Sequence, residues 1–381
     1  MPGLYIHIPF CRQACNYCNF HFSVSQKNRP DFLSALVKEI NITKDFYTSS
    51  KNNSKIFLDT LYFGGGTPSI LSINELEQIF VAISSIYDFN DKSEITLEAN
   101  PDDLTITKIA ELKSLGINRL SIGIQSFFEE DLMYMNRLHS VSQAEDSIKN
   151  VFKAGIENIT IDLIYGIPTL TNERWTRNLK KAFEFGVPHI SSYALTVEEK
   201  TPLDFFIKKE KLQPVSDELA AIQFEIMLEL MEKNNFQHYE ISNFGKSGFF
   251  SRHNLSYWTG LPYLGLGPAA HSYIKGKRFW NISNTSKYIS SINDNKLPRE
   301  CEELSLIQQV NEYIMTSIRT MWGCDLFKIK NEFGDIVFQK IEKTSEKYIR
   351  NGLLMKENNN LILTKKGKFL ADGIAADLFV D

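Results

Sequence analysis

Apolar residues follow two different periods along roughly the first half of the chain. Short runs rich in β-branched and aromatic residues predict six strands, at 4–10, 59–68, 94–101, 118–126, 158–168 and 189–196. Between these runs apolar residues recur every three or four positions, which predicts amphipathic helices, for example over 30–47, 72–87, 105–116 and 172–186. Strands that alternate with helices at this spacing predict βαβ units and a parallel sheet. The period alone fits an open or partial (β/α) barrel and a doubly wound sheet equally well.

The pattern changes after about residue 200. A long amphipathic stretch at 216–234 predicts a helix, and a segment rich in glycine and aromatic residues follows at 236–280. Further on, three helical patterns precede two short apolar runs on either side of the polar sequence KENNN, which predicts a small β-wing. We therefore divide the chain into an α/β core at 1–200, an extension of that core at 201–299 and a helical, winged-helix-like domain at 300–381.

The composition is that of an ordinary globular protein of 381 residues, with 43% hydrophobic residues, 23% charged residues and a net charge of −4. A mildly acidic chain gives no reason to expect a nucleic acid as partner. No apolar run reaches the roughly 18–20 residues that a membrane span needs. The amino terminus also lacks the basic and apolar regions of a signal peptide. We therefore expect a cytoplasmic protein, and the sequence leaves peripheral membrane contact and homodimerisation open.

Three cysteines, Cys11, Cys15 and Cys18, lie close together in the spacing C-x3-C-x2-C. One interpretation is a structural zinc site with His7 or His21 as fourth ligand, although such sites usually draw a second pair of ligands from a distant loop. A disulfide is not expected in a reducing compartment. The third interpretation is a [4Fe–4S] cluster that three thiolates hold, with one iron open to an exchangeable ligand. The spacing favours the cluster.

Polar residues and glycines interrupt the apolar strands near their carboxyl ends. The cysteine loop follows the first strand, and the sequence GGGTP at 64–68 follows the second. Glu98, Gln125 and Asp162 lie at or near the ends of the third, fourth and fifth strands. Arg137 lies in the connection after the fourth strand. In a (β/α) barrel these strand ends form one face, on which active sites are built. Each feature alone could be a turn or a helix cap, but together they indicate a binding site.

The sequence YIHIPFCRQACNYCNF, together with GGGTP, resembles the radical S-adenosylmethionine (SAM) superfamily, in the branch that contains oxygen-independent coproporphyrinogen III oxidases and heme chaperones. The resemblance spans nearly the whole chain. It implies an α/β fold with a partial (β/α)6, TIM-like radical SAM barrel and a smaller helical, winged-helix-like C-terminal domain. It also implies that an electron from the cluster cleaves SAM to methionine and a 5′-deoxyadenosyl radical, chemistry that belongs to the cofactor.

The same resemblance assigns ligands residue by residue. Cys11, Cys15 and Cys18 would hold the [4Fe–4S] cluster, and the amino and carboxylate groups of SAM would bind its open iron. The further residues that the resemblance implies as SAM contacts are Tyr5, Gly65, Gly66, Thr67, Glu98, Gln125, Arg137 and Asp162.

Two features favour the heme chaperones over the oxidases. The oxidases have a further cysteine two positions after the third, where this chain has Phe20. The sequence HNLSYW resembles the H-N-x-x-Y-W motif that is associated with heme binding in the chaperones. This resemblance implies His253 as a ligand of heme iron, with Tyr257 and Trp258 as flat faces for the porphyrin. His271 is a second candidate, ranked below His253.

These features predict a heme-binding chaperone that delivers heme to an apo-hemoprotein and carries a radical SAM-type [4Fe–4S] cluster. The alternative is an oxygen-independent coproporphyrinogen III oxidase, which performs a SAM-dependent oxidative decarboxylation in porphyrin biosynthesis. A structural zinc protein is a third and simpler interpretation. Whether the chain is also an enzyme stays open from the sequence.

Overall fold

A mixed sheet of twelve strands forms the centre of the described chain, which comprises residues 2–47, 55–274 and 276–381 of a computed structural model. Its six barrel strands are β1 (Gly3–Ile8), β2 (Thr60–Gly65), β3 (Glu94–Ala99), β4 (Arg119–Gln125), β5 (Asn158–Tyr165) and β6 (His189–Ala194). They are parallel, and their order in the sheet is their order in the sequence, because each βα unit crosses to the neighbouring strand. All six strands predicted from the apolar runs are present.

Helices connect the barrel strands. They are α1 (Arg29–Ile42), α2 (Ile73–Ile86), α3 (Ile106–Ser114), α4 (Glu129–Tyr134), α5 (Val141–Lys153) and α6 (Asn172–Glu184). The helices α2, α3, α5 and α6 each follow a serine or threonine whose side chain accepts a hydrogen bond from a backbone N–H of the first turn, which satisfies a donor that the helix itself cannot. The apolar stripe of α2, for example, buries Leu76, Ile79 and Ile83 in the main core.

The segment after β6 extends the sheet at both edges. Beyond β6 it adds two antiparallel strands, and next to β1 it adds one parallel strand followed by three antiparallel ones. In chain order its elements are α7 (Pro202–Lys208), α8 (Asp217–Lys233), β7 (Gln237–Glu240), β8 (Asn243–Gly245), α9 (Arg252–Trp258), β9 (Tyr263–Leu266), β10 (His271–Ile274), β11 (Lys277–Asn281), α10 (Thr285–Asn293) and β12 (Arg299–Glu303). In the described chain β7 and β12 end the sheet without pairing to each other, so the barrel is partial.

A second, smaller core lies in the C-terminal region. It is built from α11 (Leu306–Ile318), β13 (Cys324–Asp325), α12 (Leu326–Phe333), α13 (Asp335–Arg350), β14 (Leu354–Glu357), β15 (Asn360–Leu363), α14 (Lys365–Lys368) and α15 (Ala371–Leu378). The strands β13, β15 and β14 form a small sheet. Asn358 and Asn359 have φ values of 47° and 63°, which suit the tight turn of the β14–β15 hairpin. The prediction of a helical, winged-helix-like domain with a β-wing is confirmed.

The buried apolar residues form two separate clusters, one drawn from residues 4–292 and the other from residues 310–380. The boundaries at about 200 and 300 stay predictions. None of the helices in the described chain combines the length and the apolar character that a membrane-spanning segment requires.

Candidate functional site at the carboxyl end of the barrel

The cysteine loop follows β1 and is fastened to the carboxyl end of the barrel. The backbone N–H of Cys11 donates to the carbonyl oxygen of Ser23 (3.0 Å), which closes the loop on itself. The backbone N–H of Asn16 donates to the carbonyl oxygen of Met135 (3.0 Å), in the segment after β4. All three predicted cysteine ligands are partly exposed on this fixed loop. Their thiols can therefore be reached by a cofactor.

Two of these thiols accept hydrogen bonds from side chains that follow other strands. The hydroxyl of Thr67, after β2, donates to Cys11 Sγ (3.4 Å), and Nη1 of Arg137 donates to Cys15 Sγ (3.2 Å). Burial raises the pKa of the Cys11 thiol to about 11, and it also raises the pKa of the Cys18 thiol. A free thiolate is therefore unfavourable at these positions, whereas a metal centre that bonds to thiolates would remove that cost.

The guanidinium of Arg137 lies beside the cysteine loop, and one of its nitrogen donors has no partner among the described residues. Its Nη2 donates to the side-chain oxygen of Asn100 (2.8 Å) and to the carbonyl oxygen of Gly123 (2.9 Å). Its Nε is buried and has no hydrogen-bond partner among the described residues. Because buried donors are nearly always satisfied in native proteins, this group fits an acceptor oxygen from a bound ligand.

The glycine turn after β2 packs tightly against β1 and the start of the cysteine loop. Gly65 has a φ of +105°, and a Cβ built there would lie 2.6 Å from the ring of His7. A Cβ on Gly66 would lie 2.7 Å from the carbonyl oxygen of Phe10 and 2.8 Å from that of Ile8. At both positions the glycine therefore makes room for the protein's own atoms, in addition to any ligand.

Glu98, near the end of β3, lies beneath this turn. Its Oε1 accepts a hydrogen bond from the hydroxyl of Tyr62 (2.8 Å), and its Oε2 accepts one from the backbone N–H of Gly65 (3.2 Å). Burial raises the pKa of this carboxyl group to about 7. Near neutral pH the group is therefore poised between its neutral and its anionic form, and a cationic ligand would favour the anion.

Asp162, on β5, lies inside the barrel next to a small polar cavity. Its Oδ1 accepts a hydrogen bond from the hydroxyl of Ser121 (3.4 Å), and burial raises its pKa to about 6. The cavity has a volume of about 50 Å³, which is enough for one or two water molecules. Its lining comprises Tyr62, Glu98, Arg119, Ser121, Thr160, Asp162, Ser191, Tyr193 and Asn254. Glu98 and Asp162 thus share one water-sized chamber.

Gln125 and Tyr5 complete the group at this end of the barrel. Gln125 has a φ of 65°, an unusual value for a residue with a side chain, where the register between β4 and β5 shifts. Such irregularities often redirect a side chain near a functional site. Tyr5 stacks on Tyr62 with 6.1 Å between ring centres. Its hydroxyl lies 3.2 Å from Nδ1 of His7.

His253 lies at the opposite, amino end of the barrel. It is on α9, whose first N–H groups donate to the carboxylate of Glu94, the first residue of β3. The His253 ring is fully buried, with Nδ1 2.8 Å from the hydroxyl of Thr60 and Nε2 2.7 Å from that of Tyr257. Burial lowers the pKa of His253 to about 3, so the ring is neutral. In this structure His253 closes the bottom of the barrel, and its role in heme binding stays a prediction.

The other aromatic residues of the heme prediction are spread around α9. Tyr257 is partly exposed, and its ring meets that of Tyr263 edge to face at 4.5 Å between centres. The guanidinium of Arg319, in the C-terminal domain, lies 5.4 Å from the ring centre of Trp258. His271 is exposed at the start of β10, next to the carboxyl end of the barrel. The structure therefore brings the predicted cluster and SAM residues together and places His253 at the other end of the barrel, although the ring centre of Tyr5 lies 6.3 Å from that of His253 and so connects the two groups.

Sequence reasoning missed several residues that build the site. Asn100 accepts the hydrogen bond from Arg137, and its place after β3 and before a proline is the one available signal. Asn136 has a φ of 56°, and its side chain donates to the carbonyl oxygen of Ala14 in the cysteine loop (2.7 Å). Asn254 lines the polar cavity from the amino end of the barrel. No local pattern distinguishes Asn136 or Asn254 from ordinary polar residues.

The sequence also matches two protein families. The model of the radical SAM superfamily matches residues 5–182, and the model of the HemN C-terminal domain matches residues 304–370. The heme chaperone HemW of Lactococcus lactis is 34% identical over 99% of this chain and 97% of its own length. The chain belongs to the HemW family of the radical SAM superfamily. The heme chaperone HemW of Bacillus subtilis is 32% identical, over 98% of each chain.

A solved structure supports the fold of this HemW-family chain. Coproporphyrinogen III oxidase (HemN) from Escherichia coli, described as a radical SAM enzyme, matches with a TM-score of 0.84 and 21% identity, over 100% of this chain and 90% of the other. This likeness confirms the α/β radical SAM fold with a helical C-terminal domain.

Membership of the superfamily implies a [4Fe–4S] cluster and SAM. Among the described residues no group of three or more His, Cys, Asp and Glu side chains is arranged to hold a metal ion. The evidence that a cluster and SAM fit this site is therefore the chemistry of the donor groups at the carboxyl end of the barrel. These are three accessible thiols, the unpaired Nε of Arg137 and the carboxyl groups of Glu98 and Asp162.

Proposed function

We propose that this chain is a heme-binding chaperone that passes heme to an apo-hemoprotein in the cytoplasm. The observation that carries the proposal is the match, over nearly the full length of both chains, to relatives named heme chaperone HemW. Phe20 adds support, because it stands where the oxidases have a further cysteine and is 68% exposed.

The proposal includes a [4Fe–4S] cluster held by Cys11, Cys15 and Cys18 at the carboxyl end of the barrel. The cluster supplies electrons to SAM when both are bound. The chain's own part is to orient SAM and to limit access of water. The residues to which we assign SAM contacts are Tyr5, Gly65, Gly66, Thr67, Glu98, Gln125, Arg137 and Asp162. The buried Nε of Arg137 suits an anionic group, and the carboxyl groups of Glu98 and Asp162 suit a cation or hydroxyl groups.

The heme site is proposed at α9, which carries His253, Tyr257 and Trp258. Aromatic rings supply flat apolar surfaces for a porphyrin, and both histidine and tyrosine side chains can bind heme iron. The helix lies against the C-terminal domain, where Arg319 is near Trp258. An acceptor protein that docks on this domain would therefore lie close to the heme.

The test is heme binding and transfer by the full chain, purified without oxygen. We expect one equivalent of hemin to stay with the protein through gel filtration and to move to apomyoglobin faster than it does from serum albumin. Failure to retain hemin would reject the proposal. Retention without any transfer to an apoprotein would reject the chaperone role and leave a heme-storage protein.

The same preparation tests the oxidase alternative. With reconstituted cluster, a reductant, SAM and coproporphyrinogen III, we expect no protoporphyrinogen IX. The oxidase from Escherichia coli serves as positive control. Multiple turnovers by the chain would favour the oxidase instead. Electron paramagnetic resonance of the reduced cluster, with and without SAM, reports separately whether SAM binds.

A further inference from the structure

A groove on the outside of the barrel contains none of the residues assigned above to a cofactor. It lies between α6 and the segment just after β4, and its volume is about 330 Å³, within the roughly 300–1,000 Å³ that is typical of binding pockets. The four lining residues on α6 have the spacing i, i+3, i+4 and i+7, so they form one stripe along the helix surface. The complete lining comprises Phe127, Phe128, Arg177, Lys180, Lys181 and Glu184.

The floor of this groove is apolar and is bordered by cations. Phe127 is buried, whereas Phe128 is partly exposed. The Nζ of Lys181 lies 5.2 Å from the ring centre of Phe127, and the guanidinium of Arg174 lies 5.3 Å from that of Phe128. Lys181 also forms an ion pair with Glu145. An apolar side chain that lies on Phe128 is therefore flanked by positive charge.

Two further cations of the lining are available to an anion. Arg177 and Lys180 are exposed, and neither forms an ion pair with any residue that the structure describes. Glu173, one turn before Arg177 on α6, interacts with it at longer range. Glu184 adds one carboxylate to the lining, at the last residue of the helix. On a chain with a net charge of −4, the middle of this groove is thus a local positive surface.

Buried hydrogen bonds hold the groove in shape. The backbone N–H of Phe127 donates to Oδ1 of Asn178 on α6 (2.8 Å), and Nδ2 of Asn178 donates to the hydroxyl of Ser126 (3.0 Å). Asn178 and Ser126 are both fully buried. The segment after β4 is therefore fixed against α6 before any partner arrives, and a preformed surface lowers the entropic cost of binding.

We propose that this groove binds an acidic segment of a partner protein, with an apolar side chain of that segment on Phe128 and its carboxylates on Arg177 and Lys180. An arginine can bind a carboxylate through two parallel hydrogen bonds, and complementary charge favours the correct encounter. A protein segment is favoured over an anionic membrane because Phe128 lies in a concave groove, which a flat lipid surface does not enter. The inference goes beyond the proposed function and does not depend on heme.

Fluorescence anisotropy with a labelled peptide tests the kind of partner. The probe is a fluorescein-labelled peptide in which a leucine and a phenylalanine stand between two pairs of glutamates. We expect it to bind the full chain saturably, and more weakly as the salt concentration rises, because exposed charges are screened. Two matched peptides should each bind at least about tenfold more weakly, one with serine for both apolar residues and one with glutamine for all the glutamates.

Two results with these peptides would overturn the proposal. The first is that the acidic, apolar probe fails to bind at low ionic strength. The second is that the serine peptide binds as well as the probe, because the surface would then attract negative charge without recognising an apolar side chain.

Charge reversal tests the location. Arg177→Glu combined with Lys180→Glu should weaken binding of the probe at least about tenfold. The matched control is Lys343→Glu combined with Arg350→Glu, which makes the same change in charge at two exposed residues of α13 that have no ion pair within the described chain. The control should stay within about twofold of the wild type. Equal affinities of the two double variants would place the contact elsewhere and overturn the proposal.

Two further measurements complete the test. Phe128→Ala should weaken binding of the probe several-fold; should this variant not fold, the charge variants still decide. Vesicles of phosphatidylglycerol replace the peptide in a sedimentation assay, where we expect no binding that depends on Arg177 and Lys180. Binding of the vesicles without binding of the peptide would assign the surface to a membrane instead. Hemin retention by the charge variants should equal that of the wild type, which separates this inference from the proposed function.

Discussion

The two ends of the barrel both bury polar side chains but differ in what surrounds them. At the carboxyl end, Arg137 has a buried donor without a partner in the described chain, and Glu98 has a pKa raised by burial. At the amino end, His253 has both ring nitrogens engaged, but the Nε of the buried Arg119, which lies 3.9 Å from Glu94, also lacks a hydrogen-bond partner in the described chain. Unmet polar groups cost free energy that a ligand can recover, whereas satisfied ones contribute to folding. The comparison teaches that an unmet hydrogen bond alone does not mark a binding site, and that the carboxyl end differs because the unmet donor of Arg137 lies beside partly exposed thiols.

The largest contrast between the ends is expected when a cysteine is removed. Cys15→Ala should abolish the iron and sulfide content of protein prepared without oxygen, because the cluster loses one of three thiolates. The exposed Cys301→Ala should retain both. Iron, sulfide and zinc analysis measures the effect. One equivalent of zinc in the wild type, with no iron, would overturn the cluster interpretation.

The amino end is expected to respond through stability. His253→Ala should lower the free energy of unfolding by about 2–4 kcal/mol, because it leaves a cavity and deprives two buried hydroxyl groups of their partner. Denaturant unfolding of the protein without cofactors is the measurement. His271→Ala, at an exposed position, should change this free energy by less than about 0.5 kcal/mol. A similar small effect for His253→Ala would mean that α9 is not packed as described.

A smaller effect, visible only in its pH dependence, is expected at Glu98. Its pKa is about 7 in the folded chain against 4.5 for an ordinary glutamate, so the folded state binds the proton more tightly. The stability that this proton contributes is complete below about pH 4.5 and is lost as the pH rises through 7. Glu98→Gln cannot titrate, so the wild type should lose about 1–3 kcal/mol relative to it between pH 5 and 8.

Denaturant unfolding at several pH values checks this prediction. The exposed Glu77→Gln on α2 is the matched control and should follow the wild type at every pH. A pH-independent difference between wild type and Glu98→Gln would show that Glu98 is solvated in the folded chain.

Most of the barrel could be predicted from the sequence, because the information is local. The six strands are continuous apolar runs, and the helices α2, α3, α5 and α6 begin at serine or threonine caps. The spacing of the three cysteines favoured a [4Fe–4S] cluster. What could not be predicted depends on distant partners. His253 meets Thr60 across 193 residues of sequence, and β9 joins the sheet beside β1 although more than 250 residues separate them. The strain at Gln125 and the packing at Gly66 likewise arise only when neighbouring strands meet.

Tyr62 touches both ends of the barrel, with its ring stacked on His253 at 5.0 Å between centres and its hydroxyl bonded to Glu98. A ligand that draws Glu98 away from this hydroxyl would also loosen the ring beneath the histidine. If a second ligand binds at the histidine and the two sites are coupled in this way, each ligand must change the affinity of the other by the same factor. Through Tyr62, the binding of one ligand would then change the affinity of the protein for the other.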